Sequence, residues 1–177
     1  PATHAYARAD LKSPDLIGLS FGSLVTVTET TKDFAETPQG YIFARHLAPV
    51  DQRHDDPAEV AKLFLGTPYL WGGNSRWGID CSGLVQAAFL ACGIPCAGDS
   101  DLQEQTLGEA VSGDYQRNDV LFWKGHVALV VDPETMLHAT ANTMSVTFET
   151  IASAIARIEA GGDGPVTAHR RVTATAG

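Results

Sequence analysis

Four strand-patterned runs follow one another closely between residues 119 and 150: DVLFW, HVALVVD, TMLHAT and SVTFET. The first two are separated only by a Lys124–Gly125 turn. Runs joined this tightly pair antiparallel, because a parallel return needs a crossover of about a dozen residues or more. Three helix-patterned segments precede this meander. The first runs from about Pro57 to Leu65, with Val60, Ala61 and Phe64 on one side and Gly66 as its stop. In the second, GIDCSGLVQAAFLACG, Leu84, Val85, Ala88, Phe89 and Cys92 recur at helical spacing from a start near Cys81, and Gly93 and Pro95 end it. A capping box, Ser100 to Gln103, opens a short third helix. A last helix, about Thr150 to Ile158, and a last strand in VTAHRRVTA (166–174) flank a GGDG break. Helices first and strands afterwards predict an α+β domain, with helices packed on one antiparallel sheet.

The N-terminal part has a different texture. SLVTVTET alternates around Val25 and Val27, DFA follows, and QGYIFA resumes after Pro38, so residues 1–50 read as a small all-β unit. The polar segment DQRHDD, 51–56, is the expected linker to a second domain spanning 51–177. Within it, Asp56 before Pro57 makes an N-cap and a first helical position.

Composition narrows the partners. The chain has 177 residues, 44% hydrophobic and 19% charged, enough for one sizeable core and a small appended domain. Its apolar runs, LVQAAFLAC and VALVV among them, fall short of the roughly 18–20 residues a bilayer span requires, so no membrane partner is expected. A formal charge of −9, from 12 basic and 21 acidic residues without a basic cluster, argues against nucleic acid. Neutral or amine-bearing substrates remain compatible. Three cysteines make a secreted disulfide framework improbable, and no basic, hydrophobic leader opens the chain; both lean towards a cytoplasmic location. Cys81, Cys92 and Cys96 lack a CxxC knuckle, so neither a metal nor another cofactor is expected.

Cys81 stands where chemistry is plausible. At a helix N-terminus the orphan amides and the dipole favour the thiolate, the nucleophilic form. A free thiol titrates near ~8.5, and such an end together with an imidazolium can bring it to roughly 3.5–7.5, a gain of tens-fold in reactive form at neutral pH. His126, at the start of HVALVVD, could act as its base, and His138, in MLHAT of the next strand, could hold that base in one tautomer. Asp80 would oppose the thiolate if aimed at the sulfur. Together with the Ser82 hydroxyl it is better suited to gripping a substrate ammonium, or to capping the helix.

These residues carry a resemblance. YLWGGNSRWGIDCSGLVQ, followed by GHVALVVD and LHA in that order, resembles the NlpC-type cysteine peptidases, papain-like hydrolases of bacterial cell-wall peptides, over roughly Pro57 to Arg171. The resemblance implies papain-like helices on an antiparallel sheet, with Cys81 as nucleophile, His126 as base, His138 as the orienting third residue and Tyr69 as an oxyanion or substrate contact. It also implies the substrate: the bond between γ-D-glutamyl and a diamino acid in peptidoglycan stem peptides. In one subgroup, the counterparts of Asp80 and Ser82 hold the free amine of N-terminal L-alanine. Residues 1–50, ending GYIFARHLAPV, resemble a bacterial SH3-like barrel, from which Tyr41 or Glu29 would complete the pocket. Two alternatives stay open: a catalytically silent wall-binding module, and a papain-like amidase or acyltransferase acting on another amide. The remaining histidines (His4, His46, His54 and His169) read as structural, Cys92 as helix core, and Trp71 and Trp123 as packing residues. Cys96 has no evident role.

Overall fold

Short strands separated by tight turns dominate the first fifty residues. In the computed structural model, which describes residues 2–173, they are β1 (Ala2–Tyr6), β2 (Asp15–Ser20), β3 (Glu29–Thr30), β4 (Phe34–Thr37) and β5 (Gly40–Phe43). They form one antiparallel sheet in the order β2-β1-β5-β4-β3. Ala5 pairs with Ile42, and Ile42 with Ala35, and all three are almost fully buried, so one face of the sheet carries the local core. The other face carries the row Tyr6, Tyr41, Glu36 and Glu29, each opposite the next. Gly40 closes the β4–β5 turn at a φ of 122°, where a Cβ would stand 2.6 Å from the Tyr6 carbonyl oxygen. The alternation of SLVTV does not produce a strand. Pairing starts only at Thr28, whose amide donates to the Glu36 carbonyl, and Val27 is exposed. No pairing of β2 with β3 closes the sheet among the described residues.

The chain divides into two compact units at Arg53 and His54, inside the polar DQRHDD segment. The second unit starts with α1 (Pro57–Lys62), capped by Asp56, whose side chain accepts from the Ala58 amide. It continues through β6 (Asn74–Ser75), β7 (Gly78–Ile79), α2 (Cys81–Ala91), α3 (Ser100–Thr106) and β8 (Glu109–Ala110). The meander follows as β9 (Val120–Trp123), β10 (His126–Asp132), β11 (Thr135–Thr140) and β12 (Ser145–Thr150), and then come α4 (Ile151–Gly161) and β13 (Ala168–Arg171). Ala174, the end of the expected last strand, lies outside the described residues.

The large sheet has the order β12-β11-β10-β9-β13-β8 and is antiparallel throughout. The expected α+β architecture is therefore present, including the last strand, now seen as β13 docked beside β9, while the two-residue β8 at the far edge was not expected. Asp119, fully buried just before β9, holds this docking through His169 Nε2 at 2.7 Å, Arg171 Nε at 2.7 Å and the Gln116 amide at 2.8 Å. Burial alone would raise the carboxyl pKa, but Arg171 and His169 hold it below the usual range. His169 is thus structural.

Strand alternation sorts the side chains. Leu121, Trp123, Ala128, Val130 and Met136 bury against Ile151, Ala154 and Ile158 of α4. Thr150 caps that helix through the Ser153 amide, and Gly162 ends it in the left-handed region. The opposite face of β10 and β11 presents Val127, Leu129, Leu137 and Ala139, all without exposure, to α1 and α2. From α2, Leu84, Val85, Ala88 and Phe89 are buried, each apolar side chain of this size contributing about 1.5–3 kcal/mol. This packing fixes the first turn of α2 against the start of β10.

Two expectations need correction. The Ser100–Gln103 capping box does not form: Asp99 is the N-cap, without a side-chain bond. Gln103 is fully buried and turns inward, donating to the Ser82 and Ala97 carbonyls, because those buried acceptors need a donor more than an exposed helix end does. Cys92 is only half-buried, at the C-cap of α2.

Candidate active site

The glycine-rich loop before α2 is a tight construction. Gly73 donates to the Leu70 carbonyl, and Asp80 donates back to the Gly73 carbonyl. Gly83 lies directly under this loop, where a Cβ would come within 2.5 Å of the Gly73 oxygen. The small residues of WGG and CSG therefore let the loop lie against the first turn of α2.

Asp80 is the N-cap of α2. Its Oδ1 accepts from the Gly83 amide at 2.7 Å and the Ser82 hydroxyl at 3.0 Å, and its Oδ2 accepts from the Gly72 amide at 2.8 Å. A carboxylate has about four acceptor positions, so roughly one remains for a donor arriving from outside. Ser82, itself buried, has its donor committed to Asp80 and its oxygen lone pairs still available.

Cys81, the first residue of α2, is 6% exposed. Its sulfur receives the Val127 amide, with the Ser82 and Cys81 amides also aimed at it. The Val127 amide is available because the β10–β11 ladder covers only Leu129 to Asp132 of β10. The electrostatic balance differs from the expectation of a pre-formed thiolate. Burial pushes the thiol pKa up, Val127 pulls it down, Asp80 pushes it up and the two helix-end amides pull it down, leaving it raised. The helix end supplies what sequence reasoning assigned to it, but desolvation outweighs it. Tyr69 faces the same centre: burial and the nearby Cys81 and Asp80 raise its phenol pKa, which keeps the hydroxyl a donor.

His126 opens β10 with its ring 5.8 Å from that of Trp123. Its Nε2 lies 2.9 Å from Nδ1 of the fully buried His138. His126 Nδ1 is the ring nitrogen not engaged with His138. Burial, together with the neighbouring His138 and Arg157, lowers the His126 pKa to about 3. Burial lowers that of His138 to about 4 despite the facing Glu149 carboxylate. At neutral pH the thiol and the imidazole are thus both uncharged.

Sequence reading did not identify what stands behind His138. Glu149 Oε2 lies 3.2 Å from His138 Nε2, at ion-pair distance but off the line of a good hydrogen bond. Arg157 grips that carboxylate with Nε to Oε1 at 3.0 Å and Nη2 to Oε2 at 2.7 Å. The signal was the cross-strand register: His138 pairs with Thr147 and Met136 with Glu149, which puts His138 and Glu149 diagonally on one face.

Cys81, His126, His138, Asp80, Ser82 and Tyr69 all belong to the second unit. Tyr41 and Glu29 lie in the first unit, on the same row as Glu36. Trp71 is 81% exposed, not packed, whereas Trp123 is core. No group of histidine, cysteine and acidic residues suited to a metal ion occurs among the described residues, and no helix there is long and apolar enough to cross a membrane.

The second unit has recognisable relatives. The family model described as NlpC/P60 family matches residues 66–158. The chain is 34% identical over 110 residues to a dipeptidyl-peptidase 6 of Lysinibacillus sphaericus, covering 57% of this chain and 41% of that protein. It is 36% identical over 101 residues to a gamma-D-glutamyl-L-lysine dipeptidyl-peptidase of Bacillus cereus, covering 52% and 30%. The chain therefore spans well under half the length of these relatives. Among solved structures, an NlpC/P60 family protein from Bacillus cereus superposes with a TM-score of 0.74 at 21% identity, covering 96% of this chain and 63% of that one, which shows a shared fold. A peptidoglycan hydrolase from Mycobacterium tuberculosis matches with a TM-score of 0.55 at 27% identity, covering 66% and 62%. On the family match, which takes in the glycine-rich loop, Cys81, both site histidines and Glu149, this chain belongs to the NlpC/P60 family.

Proposed function

We propose that this protein is a cysteine peptidase that hydrolyses the γ-D-glutamyl–diamino acid bond of peptidoglycan stem peptides bearing a free N-terminal L-alanine. The observation that carries the reading is the pairing of a buried thiol with a partly unsatisfied carboxylate one residue away, at the same helix end. In this reading Cys81 Sγ attacks the γ-glutamyl carbonyl carbon as its proton passes to His126 Nδ1. The carbonyl oxygen takes up the negative charge, for which the Tyr69 hydroxyl and the helix-end amides are the available donors. His126 then delivers the proton to the departing amine, and the carbon–nitrogen bond breaks to leave a thioester. Water, deprotonated by His126, cleaves the thioester and restores the thiol.

Asp80 and Ser82 would anchor the substrate ammonium through the remaining carboxylate position and the hydroxyl lone pairs. That fixes the distance from the amino end to the scissile bond and gives a dipeptidyl-peptidase, the activity named for two of the relatives. The net charge of −9 suits an amine-bearing substrate. We read the five short antiparallel strands of the first unit as SH3-like. We also assign the protein to cytoplasmic recycling of wall peptides, a setting that keeps three free cysteines reduced.

Incubation with L-Ala-γ-D-Glu-diaminopimelate or its L-lysine counterpart, followed by mass spectrometry, should reveal free L-Ala-γ-D-Glu. Acetylating the alanine amine should abolish this release. Cleavage of other wall fragments with both tripeptides intact would overturn the assignment.

A further inference from the structure

We infer that Glu149 and Arg157 act as positioning residues that select the tautomer of His138, and through it the tautomer in which His126 can accept the thiol proton. The inference rests on reading Cys81 and His126 as nucleophile and base. Only one proton can occupy the 2.9 Å contact between His126 Nε2 and His138 Nδ1. If His126 donates it, His126 Nδ1 carries the lone pair that the thiol needs, and the proton of His138 sits on Nε2, facing Glu149 Oε2 at 3.2 Å. If His138 donates it, His126 is protonated on Nδ1 and cannot act as a base. A lone pair on His138 Nε2 then confronts a carboxylate oxygen. An ionised Glu149 therefore favours the productive arrangement without touching either reacting group.

Arg157 has two parts in this. Its bidentate contact, at 3.0 and 2.7 Å, keeps Glu149 ionised and fixes the plane of the carboxylate. Its charge also offsets that of Glu149. An unopposed carboxylate would draw a second proton onto His138, which would then donate to His126 from Nδ1 and block the base. The charged or titratable groups facing His138 from the elements around β11 are His126 of β10, Glu149 of β12 and Arg157 of α4. Glu149 alone among them favours protonation of His138.

The test separates tautomer from turnover. Nitrogen-15 NMR of the two imidazoles in a Cys81→Ala background should show His138 protonated on Nε2 and His126 on Nε2. In Glu149→Gln, whose amide can donate to His138 Nε2, the opposite tautomers should appear, and kcat/KM of the Cys81-containing enzyme should fall about tenfold or more. Arg157→Gln should move the acid limb of the kcat/KM profile up by about one pH unit or more, whereas Arg157→Lys, which keeps the charge, should leave it near the wild-type position. Unchanged tautomers in Glu149→Gln, or an acid limb that does not move in Arg157→Gln, would overturn the inference. Absence of peptide turnover by the wild type would instead count against the peptidase reading, leaving the tautomer result to stand alone.

Discussion

Three backbone amides surround the sulfur of Cys81, yet burial and the carboxylate of Asp80 leave its thiol above the usual thiol range. In the proposed mechanism the reactive thiolate is therefore produced during the reaction, not stored beforehand, and His126, with a pKa lowered to about 3, serves as a base without a proton until the thiol supplies one. Alkylation of the free enzyme by iodoacetamide should accordingly be slow near pH 7 and keep rising as the pH climbs past about 9. A fast rate that is flat across neutral pH would mean that a thiolate–imidazolium pair already exists. The family was legible from the sequence because DCSG, GHV and LHA bring their own residue types in order. The electrostatic state was not, because it depends on how deeply the helix end is buried. Asp80 shows the same division: its role as cap could be read from its position, while its single spare acceptor position is visible only once Gly72, Ser82 and Gly83 are in place.

At the scale of elements, the first turn of α2 and the start of β10 together make the site, and each has a testable weak point. Gly83 is helical, where alanine would ordinarily be favoured by about 1 kcal/mol, but its Cβ would meet the Gly73 carbonyl at 2.5 Å and Asp80 Oδ1 at 3.2 Å. Gly83→Ala should therefore lower stability by about 1–3 kcal/mol in chemical unfolding and reduce kcat/KM by displacing Asp80; a stabilised variant would contradict this packing. His126 and His138 hold β10 and β11 together as neutral rings, with pKa values of about 3 and about 4 against 6.5 unfolded. Below about 6.5 the unfolded chain takes up protons that the folded one refuses, so stability falls with acidification, by up to about 1.4 kcal/mol per pH unit for each ring. Urea midpoints should drop from pH 7 towards about pH 4, and His138→Gln should flatten that slope; an unchanged slope would mean the ring is not held neutral. The meander was legible because its period of two is interrupted only by short turns. β13 was legible as a strand but not its place in the sheet, and β8 was not legible at all, since both depend on Asp119 binding His169 and Arg171 across some fifty residues of sequence. SLVTV failed for the converse reason: it has strand propensity but no partner before Thr28.

At the scale of the whole molecule, an acidic chain of two units carries Cys81 and Asp80, the proposed nucleophile and amine anchor, at adjacent positions. The first unit buries Ala5, Ala35 and Ile42 on one face of its sheet and carries Tyr6, Tyr41, Glu36 and Glu29, with Phe34 and Phe43 beside them, on the other. Its all-β character was readable from the sequence, but β1, β2 and the alignment of Tyr41 with Glu29 were not. The central claim is tested most directly by affinity labelling with the chloromethyl ketone of L-Ala-γ-D-glutamate, the reactive carbon replacing the scissile amide, and with its N-acetyl derivative. Cys92 and Cys96, pushed up to about 11 and about 12, serve as internal controls. The account predicts stoichiometric labelling of Cys81 by the free amine compound, about 10- to 100-fold slower labelling by the acetylated one, and little at the other two cysteines. Equal rates for the two compounds, or labelling that spares Cys81, would contradict it.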